Sequence, residues 1–156
     1  MASPQGAFKR RIRTLTNPAW LAFAWFGMTA GISLLETPVK FTAPSITRAV
    51  ALDVGRVVFT ALNRVEVVAM ILLLVLVRVS GRSRQLLAPC ALLVLIVIAQ
   101  TVWLLPELAA RAQMIGQGIE PGASIVHGAY STLELGKLVL LLYVGFRCLG
   151  ESQAAA

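Results

Sequence analysis

Between Leu86 and Leu105 the chain runs for 20 residues without an Asp, Glu, Lys, Arg or His. A helix needs about 20 mostly apolar residues to cross the roughly 30 Å hydrocarbon core of a bilayer, so this segment has the length of a membrane span. Three other apolar stretches accompany it: Asn17 to Leu35, a long run ending at Val79 with Val67 to Val77 unbroken, and Ser124 to Leu149. Of the 156 residues 58% are hydrophobic and only 13% charged, against roughly 25% charged in soluble domains. A water-soluble fold has nowhere to hide so much apolar surface.

Punctuation between these runs sets the expected architecture. Asn17-Pro18 starts a first helix, since Pro is tolerated in the first turn. Glu36 to Pro44 holds two prolines and Lys40 and reads as a loop, after which Ser45 is placed to cap a second helix reaching Val79. Such a helix is about 50 Å long, so its first turns lie outside lipid or are shielded by the bundle. Pro106-Glu107 closes the third run, a loop with Gly116, Gly118, Pro121 and Gly122 follows, and Ser124 opens the fourth. Short connections favour antiparallel neighbours. The expectation is an all-α integral membrane protein, an up-down-up-down four-helix bundle over residues 17–149 with spans at 17–35, 55–78, 86–105 and 125–148. A basic arm, 1–16, and a short tail, 150–156, flank it. The first apolar segment exceeds a signal-peptide core in length, and Leu35-Glu36-Thr37-Pro38 lacks a small-x-small cleavage site, so it reads as a retained helix. Trp20 and Trp25 are expected at the membrane interface. Gly27 and Gly31 have the G-x-x-x-G spacing that admits a second helix backbone.

Lys and Arg number 14 against seven Asp and Glu, a net charge of +7. The basic residues flank apolar runs and no aromatic-interleaved basic groove is visible, which argues for membrane topology over nucleic-acid binding. Lys9, Arg10, Arg11, Arg13, Arg78, Arg82, Arg84 and Arg147 fall on one side, and Lys40, Arg48, Arg56 and Arg111 on the other. The richer side belongs in the cytoplasm, which puts both termini there and suggests a bacterial inner membrane. Cys90 and Cys148 are 58 residues apart and carry no compartment signal.

Candidate chemistry lies in the polar positions of the second and fourth helices, because an ionised side chain at mid-membrane costs at least about 2.5–3.5 kcal/mol on insertion scales. At about 100° per residue, His127, Tyr130, Glu134 and Lys137 occupy an arc of roughly 80° on one face. Asp53, Arg56, Thr60, Asn63, Arg64 and Glu66 spread over roughly 160°. These two helices run in the same direction, so the stripes are expected to face each other as one polar cluster in the outer half of the membrane. Asp53 with Arg56 and Glu134 with Lys137 are spaced to pair along one helix, while Glu66 needs a cation and Arg64 an anion from elsewhere. A single His127 cannot supply two axial haem ligands. Ser131 beside His127 and Glu134 has the residue types of a hydrolase triad without a nucleophile elbow, and its spacing suits a helix hydrogen bond. No catalytic residue, metal ligand or cofactor is assigned.

The segments Glu36-Thr37-Pro38-Val39-Lys40-Phe41, Ala51-Leu52-Asp53-Val54-Gly55-Arg56, Asn63-Arg64-Val65-Glu66 and Leu133-Glu134-Leu135-Gly136-Lys137 resemble a group of small uncharacterised bacterial four-helix membrane proteins, distantly similar to the eukaryotic transmembrane-protein-205 group. The resemblance implies a four-helix membrane fold and transfers no catalytic residue. Two functions are expected to compete. One is a polar cluster that binds or translocates an ion, a proton or a small polar solute, with the protein as a homo-oligomer. The other is an accessory or assembly subunit of a larger membrane complex, in which the cluster only locks helices together.

Overall fold

Asn17 and Pro18 start the first helix as the sequence predicts: the Asn17 side chain accepts the Ala19 amide at 3.0 Å and Pro18 sits in the opening turn. The computed structural model describes residues 17–81 and 83–154, with side chains over 17–81 and 84–150. Every regular element among these residues is helical. Helix α1 runs Pro18–Ala30, widens into a π-helical turn over Gly31–Glu36 and continues as Thr37–Lys40. Helix α2 is Arg48–Val79. Helix α3 runs Ser83–Ala99, widens over Gln100–Leu104 and continues as Leu105–Gly116, and α4 is Val126–Ala154. The arm at 1–16, including Lys9, Arg10, Arg11 and Arg13, and also Arg82, lie outside the described residues.

Helices α1 and α3 overrun the segments expected from the sequence. Glu36 to Lys40 is helical rather than looped, and α3 passes Pro106 to reach Gly116. In both places the proline follows the end of a π turn by two residues, Pro38 after Glu36 and Pro106 after Leu104. Proline clashes with the carbonyl four residues back and lacks an N–H. A turn with i to i+5 bonds, here Thr37 N–H to the Ile32 carbonyl and Leu105 N–H to the Gln100 carbonyl, shifts that register and lets the helix proceed. At the other correction, Thr47 caps α2 in place of Ser45, its side chain accepting the Val50 amide at 3.3 Å. Helix α4 begins close to expectation, with Ser124 Oγ accepting the Val126 amide, and it extends through the expected tail to Ala154.

In packing, α1 lies against α2 and α4, and α3 lies against the same two helices. Small residues set the closest approach. At Gly145 on α4, a Cβ would stand 2.7 Å from the Phe23 ring of α1, and Phe23 makes an edge-to-face contact with Phe146. A large apolar core built from Trp25, Leu73, Leu93, Val97, Leu141, Val144 and Cys148 fills one end of the bundle. A smaller one around Leu104, Val126 and Tyr130, with Phe59 and Leu108 against it, lies toward the other end. Asn17 Nδ2 donates to the Cys148 carbonyl and Arg147 to Gln85 at the first end. Arg48 pairs with Glu120 at the second.

The outside of the bundle is mostly apolar. Leu87, Leu95, Val102 and Val139 are each more than 60% exposed, while Glu66, Glu134 and Lys137 face inward. Three of the helices, over Pro18–Lys40, Arg48–Val79 and Arg84–Gly116, are long and apolar enough to cross a membrane. Trp20 is 61% exposed, as an interfacial aromatic would be, but Trp25 is 2% exposed and belongs to the core. Its expected interfacial place is corrected by a polar partner inside the bundle.

Candidate functional site

That partner is Glu66 on α2. Trp25 Nε1 donates to Glu66 Oε1 at 3.0 Å, and Thr29 Oγ1, one turn further along α1, donates to the same oxygen at 2.9 Å. From α4, Lys137 Nζ approaches Glu66 Oε1 to 2.6 Å and Glu134 Oε2 to 2.8 Å. The same ammonium donates to Gln100 Oε1 at 3.0 Å, and Gln100 Nε2 donates to Glu134 Oε2 at 2.7 Å. Ser33 Oγ on α1 donates to Glu134 Oε1 at 2.6 Å. All four helices therefore converge on one buried set, in which Lys137 is 0%, Glu66 1% and Glu134 3% exposed.

Local structure explains the convergence. Trp25, Thr29 and Ser33 are spaced by four, which keeps them on one face of α1, and Ser33 lies in the π turn. Gln100 is the first residue of the π turn of α3, so both widened turns deliver a polar side chain to the cluster, a frequent association of π turns with functional sites. Glu134 and Lys137 are one turn apart on α4 and chelate each other. Glu66 stands about 27 Å along α2 from its start and about 20 Å from its end at 1.5 Å per residue, so it lies near the middle of that helix.

Charge and hydrogen-bond chemistry separate the two carboxylates. Lys137 is the single ammonium between two carboxyl groups, so the fully ionised set carries one net negative charge in a place shut off from water, where an unbalanced charge is costly. An indole N–H donates and never accepts. Trp25 is therefore fixed as a donor to Glu66 Oε1, as Gln100 Nε2 is to Glu134 Oε2. The partner of Glu134 Oε1 is the Ser33 hydroxyl, which can either donate or accept. A proton added at Glu134 keeps its hydrogen bond by reversing that hydroxyl. Every buried side-chain nitrogen and oxygen among the described residues has a partner.

Against Glu134 and Ser33 lies a cavity of about 280 Å³. Leu34, Leu52, Phe59, Leu105 and Leu108 form apolar walls, with Tyr130, Ser131 and His127 from α4 and Lys40 and Arg56 toward the α1–α2 connection. Glu134 borders this space and Glu66 does not. Lys40 pairs with Glu36 at 3.3 Å and stands 5.7 Å from the Phe59 ring centre, and its Nζ occupies the space that a side chain at Gly55 would fill. Tyr130 packs edge-to-face on Phe59.

Of the ten polar side chains on the two helix faces, Glu66, Glu134 and Lys137 meet directly, and Thr60 donates to the Arg56 carbonyl beside the cavity. His127, Tyr130 and Arg56 line the adjacent cavity. Asp53 is exposed and pairs with Arg56 at 2.8 Å, as its spacing predicts. Asn63 donates to Thr101 Oγ1 on α3 instead of joining the cluster. Arg64 is exposed. The wide polar arc of α2 therefore splits: its Glu66 edge enters the bundle and its Asp53 and Arg64 edge does not. Ser131 Oγ donates to the His127 carbonyl one turn back, the helix bond expected for it. The sequence reading missed Trp25, Thr29, Ser33 and Gln100, having sought polar chemistry only on the second and fourth helices. Their signals were the four-residue spacing on α1 and an isolated Gln following an apolar run of α3. Among the described residues no three His, Cys, Asp or Glu side chains are grouped to hold a metal. Comparison with protein-family models, with curated proteins and with solved structures finds no match, so the functional reading rests on this geometry.

Proposed function

We propose that the chain is an integral membrane protein of four transmembrane helices in up-down-up-down order, and that its mid-bundle set of Glu66, Lys137 and Glu134 takes up and releases a proton through the cavity beside Glu134. The fourth helix joins the other three as a span because its mid-helix charges, Glu134 and Lys137, point inward while Leu135, Val139 and Phe146 are exposed along its outer face. The count of flanking Lys and Arg supports a bacterial inner membrane with both termini in the cytoplasm and the cavity toward the opposite side. Gly27 and Gly31, against which no described residue packs within 4 Å, offer a close-approach surface to a second copy.

The observation that carries the reading is the sharing of one buried ammonium by two carboxylates, one of which borders a cavity. An ionisable group held inside a membrane bundle marks a proton or ion path by default. Purified protein in liposomes loaded with a pH-reporting dye tests it. Proton movement abolished by Glu134→Gln is expected, and movement unchanged by that substitution counts against the proposal.

A second reading draws on the complete pairing of buried polar atoms. The cluster then serves to lock the four helices in one arrangement, and the chain is an accessory subunit of a larger membrane complex. Detergent pull-down with mass spectrometry separates the two, and recovery of the protein alone opposes this second reading.

A further inference from the structure

The cavity's charge balance names its ligand class. At its mouth Lys40 is matched by Glu36 and Arg56 by Asp53, so these pairs leave no net charge. At its floor Glu134 belongs to a set with two carboxylates and one ammonium. What remains is one negative charge beneath apolar and aromatic walls, where an unbalanced charge is costly.

We propose that the cavity binds a small lipophilic monocation, an amine or quaternary ammonium on an apolar body, in exchange for the proton on Glu134; this rests on the proton-binding reading of the cluster. The step balances in charge and atoms. Neutral Glu134 gives its proton through the cavity to the outer solution, Ser33 turns its hydroxyl to donate to the resulting carboxylate, and the ligand's positive charge replaces the proton's. Phe59 and Tyr130 supply ring faces and edges beside the floor. Phe59 already has the Lys40 ammonium 5.7 Å from its centre, within the range at which an aromatic face attracts a cation. A metal ion or inorganic cation would find a single carboxylate among hydroxyls here, and leucines, alanines and phenylalanines make half of the lining. An anion would meet the uncompensated carboxylate.

The charged groups around Glu134 are Lys137 on its own helix, Glu66 on α2, and Arg56 and Lys40 further out; His127 and Tyr130 are the titratable neighbours on α4, and α3 contributes uncharged Gln100. Their arrangement makes proton and cation competitors for one place.

The test uses full-length protein in lipid nanodiscs and calorimetric titration with benzyltrimethylammonium, its neutral isostere neopentylbenzene, and phenylacetate. Saturable binding of the cation alone is expected, weakening by about tenfold per pH unit on the acid side where Glu134 is protonated. Proton release into weakly buffered solution should accompany binding. Glu134→Gln should abolish cation binding, and Glu134→Asp should retain it. As a variant that leaves the cluster intact, Phe59→Leu should weaken the cation more than the neutral isostere. Equal binding of neutral and cationic probes, or cation binding that survives Glu134→Gln, overturns the proposal. If no cation binds while a pH jump still releases a proton from the wild type and not from Glu134→Gln, the ligand assignment falls and the proton site stands. Cation binding without pH dependence or proton release overturns the exchange.

Discussion

Trp25 Nε1 and Glu66 Oε1 lie 3.0 Å apart, on residues that are 2% and 1% exposed. The pair joins α1 to α2 at the floor of the large apolar core. Removing the donor while keeping a ring, with Trp25→Phe, leaves Glu66 short of one bond. A loss of about 1–3 kcal/mol is expected from an unsatisfied buried acceptor. Thermal unfolding in detergent would show it, and an unchanged midpoint would mean that the indole contributes only packing.

Lys137 is coupled to both carboxylates, so its loss should be the most damaging single change in the cluster. Lys137→Met takes away the ammonium that Glu66 and Glu134 share, leaves their negative charge uncompensated in a buried place and should cost about 3–5 kcal/mol. Adding Glu66→Gln removes one of the two acidic groups. The double variant should therefore be more stable than Lys137→Met alone, and simple additivity of the two single changes would refute the coupling.

The glycines of α4 should respond unequally to the same added methyl. At Gly145 it would enter the Phe23 ring, with a contact of 2.7 Å, whereas at Gly136 its nearest neighbour is Ile96 Cδ1 at 4.0 Å. Gly145→Ala should lower stability by about 1–3 kcal/mol through overpacking. Gly136→Ala should be neutral or slightly stabilising, because alanine is the better helix former. Equal effects at the two positions would contradict the close α1–α4 approach.

Topology is testable without any functional assay. Reporter domains fused after residues 81 and 117 should report the cytoplasm for the first and the opposite side for the second. A cytoplasmic signal from the second would reverse the proposed orientation and the side on which the cavity opens.

These tests follow from parts of the molecule that differ in how openly the sequence displays them. The apolar runs, the Asn17-Pro18 start and the i,i+3 pairs Asp53–Arg56 and Glu134–Lys137 are local, and local rules find them. Glu66 was visible as a charge lacking a partner, although its partner Lys137 became identifiable only through packing. Trp25 misled because an indole at the end of an apolar run has two uses, at a lipid headgroup or on a buried acceptor. Its burial depends on which face of α1 meets α2. Pro38 and Pro106 misled because the rule that proline ends a helix assumes an unbroken α register.

That assumption bears on how chain length is measured in this molecule. Each residue of an α-helix advances the facing direction by about 100°, and a π turn absorbs one additional residue without passing that rotation on. The halves of α1 on either side of Gly31–Glu36 thus belong to two phases of one helix, as do those of α3 around Gln100–Leu104. Excising Ile32 would close the bulge and leave Lys40 on its original bearing. The same excision at Ala24 would swing the whole following part of α1 about its axis and carry Ser33 away from Glu134. Helices α1 and α3 therefore tolerate a one-residue change in length where they are widest and almost nowhere else.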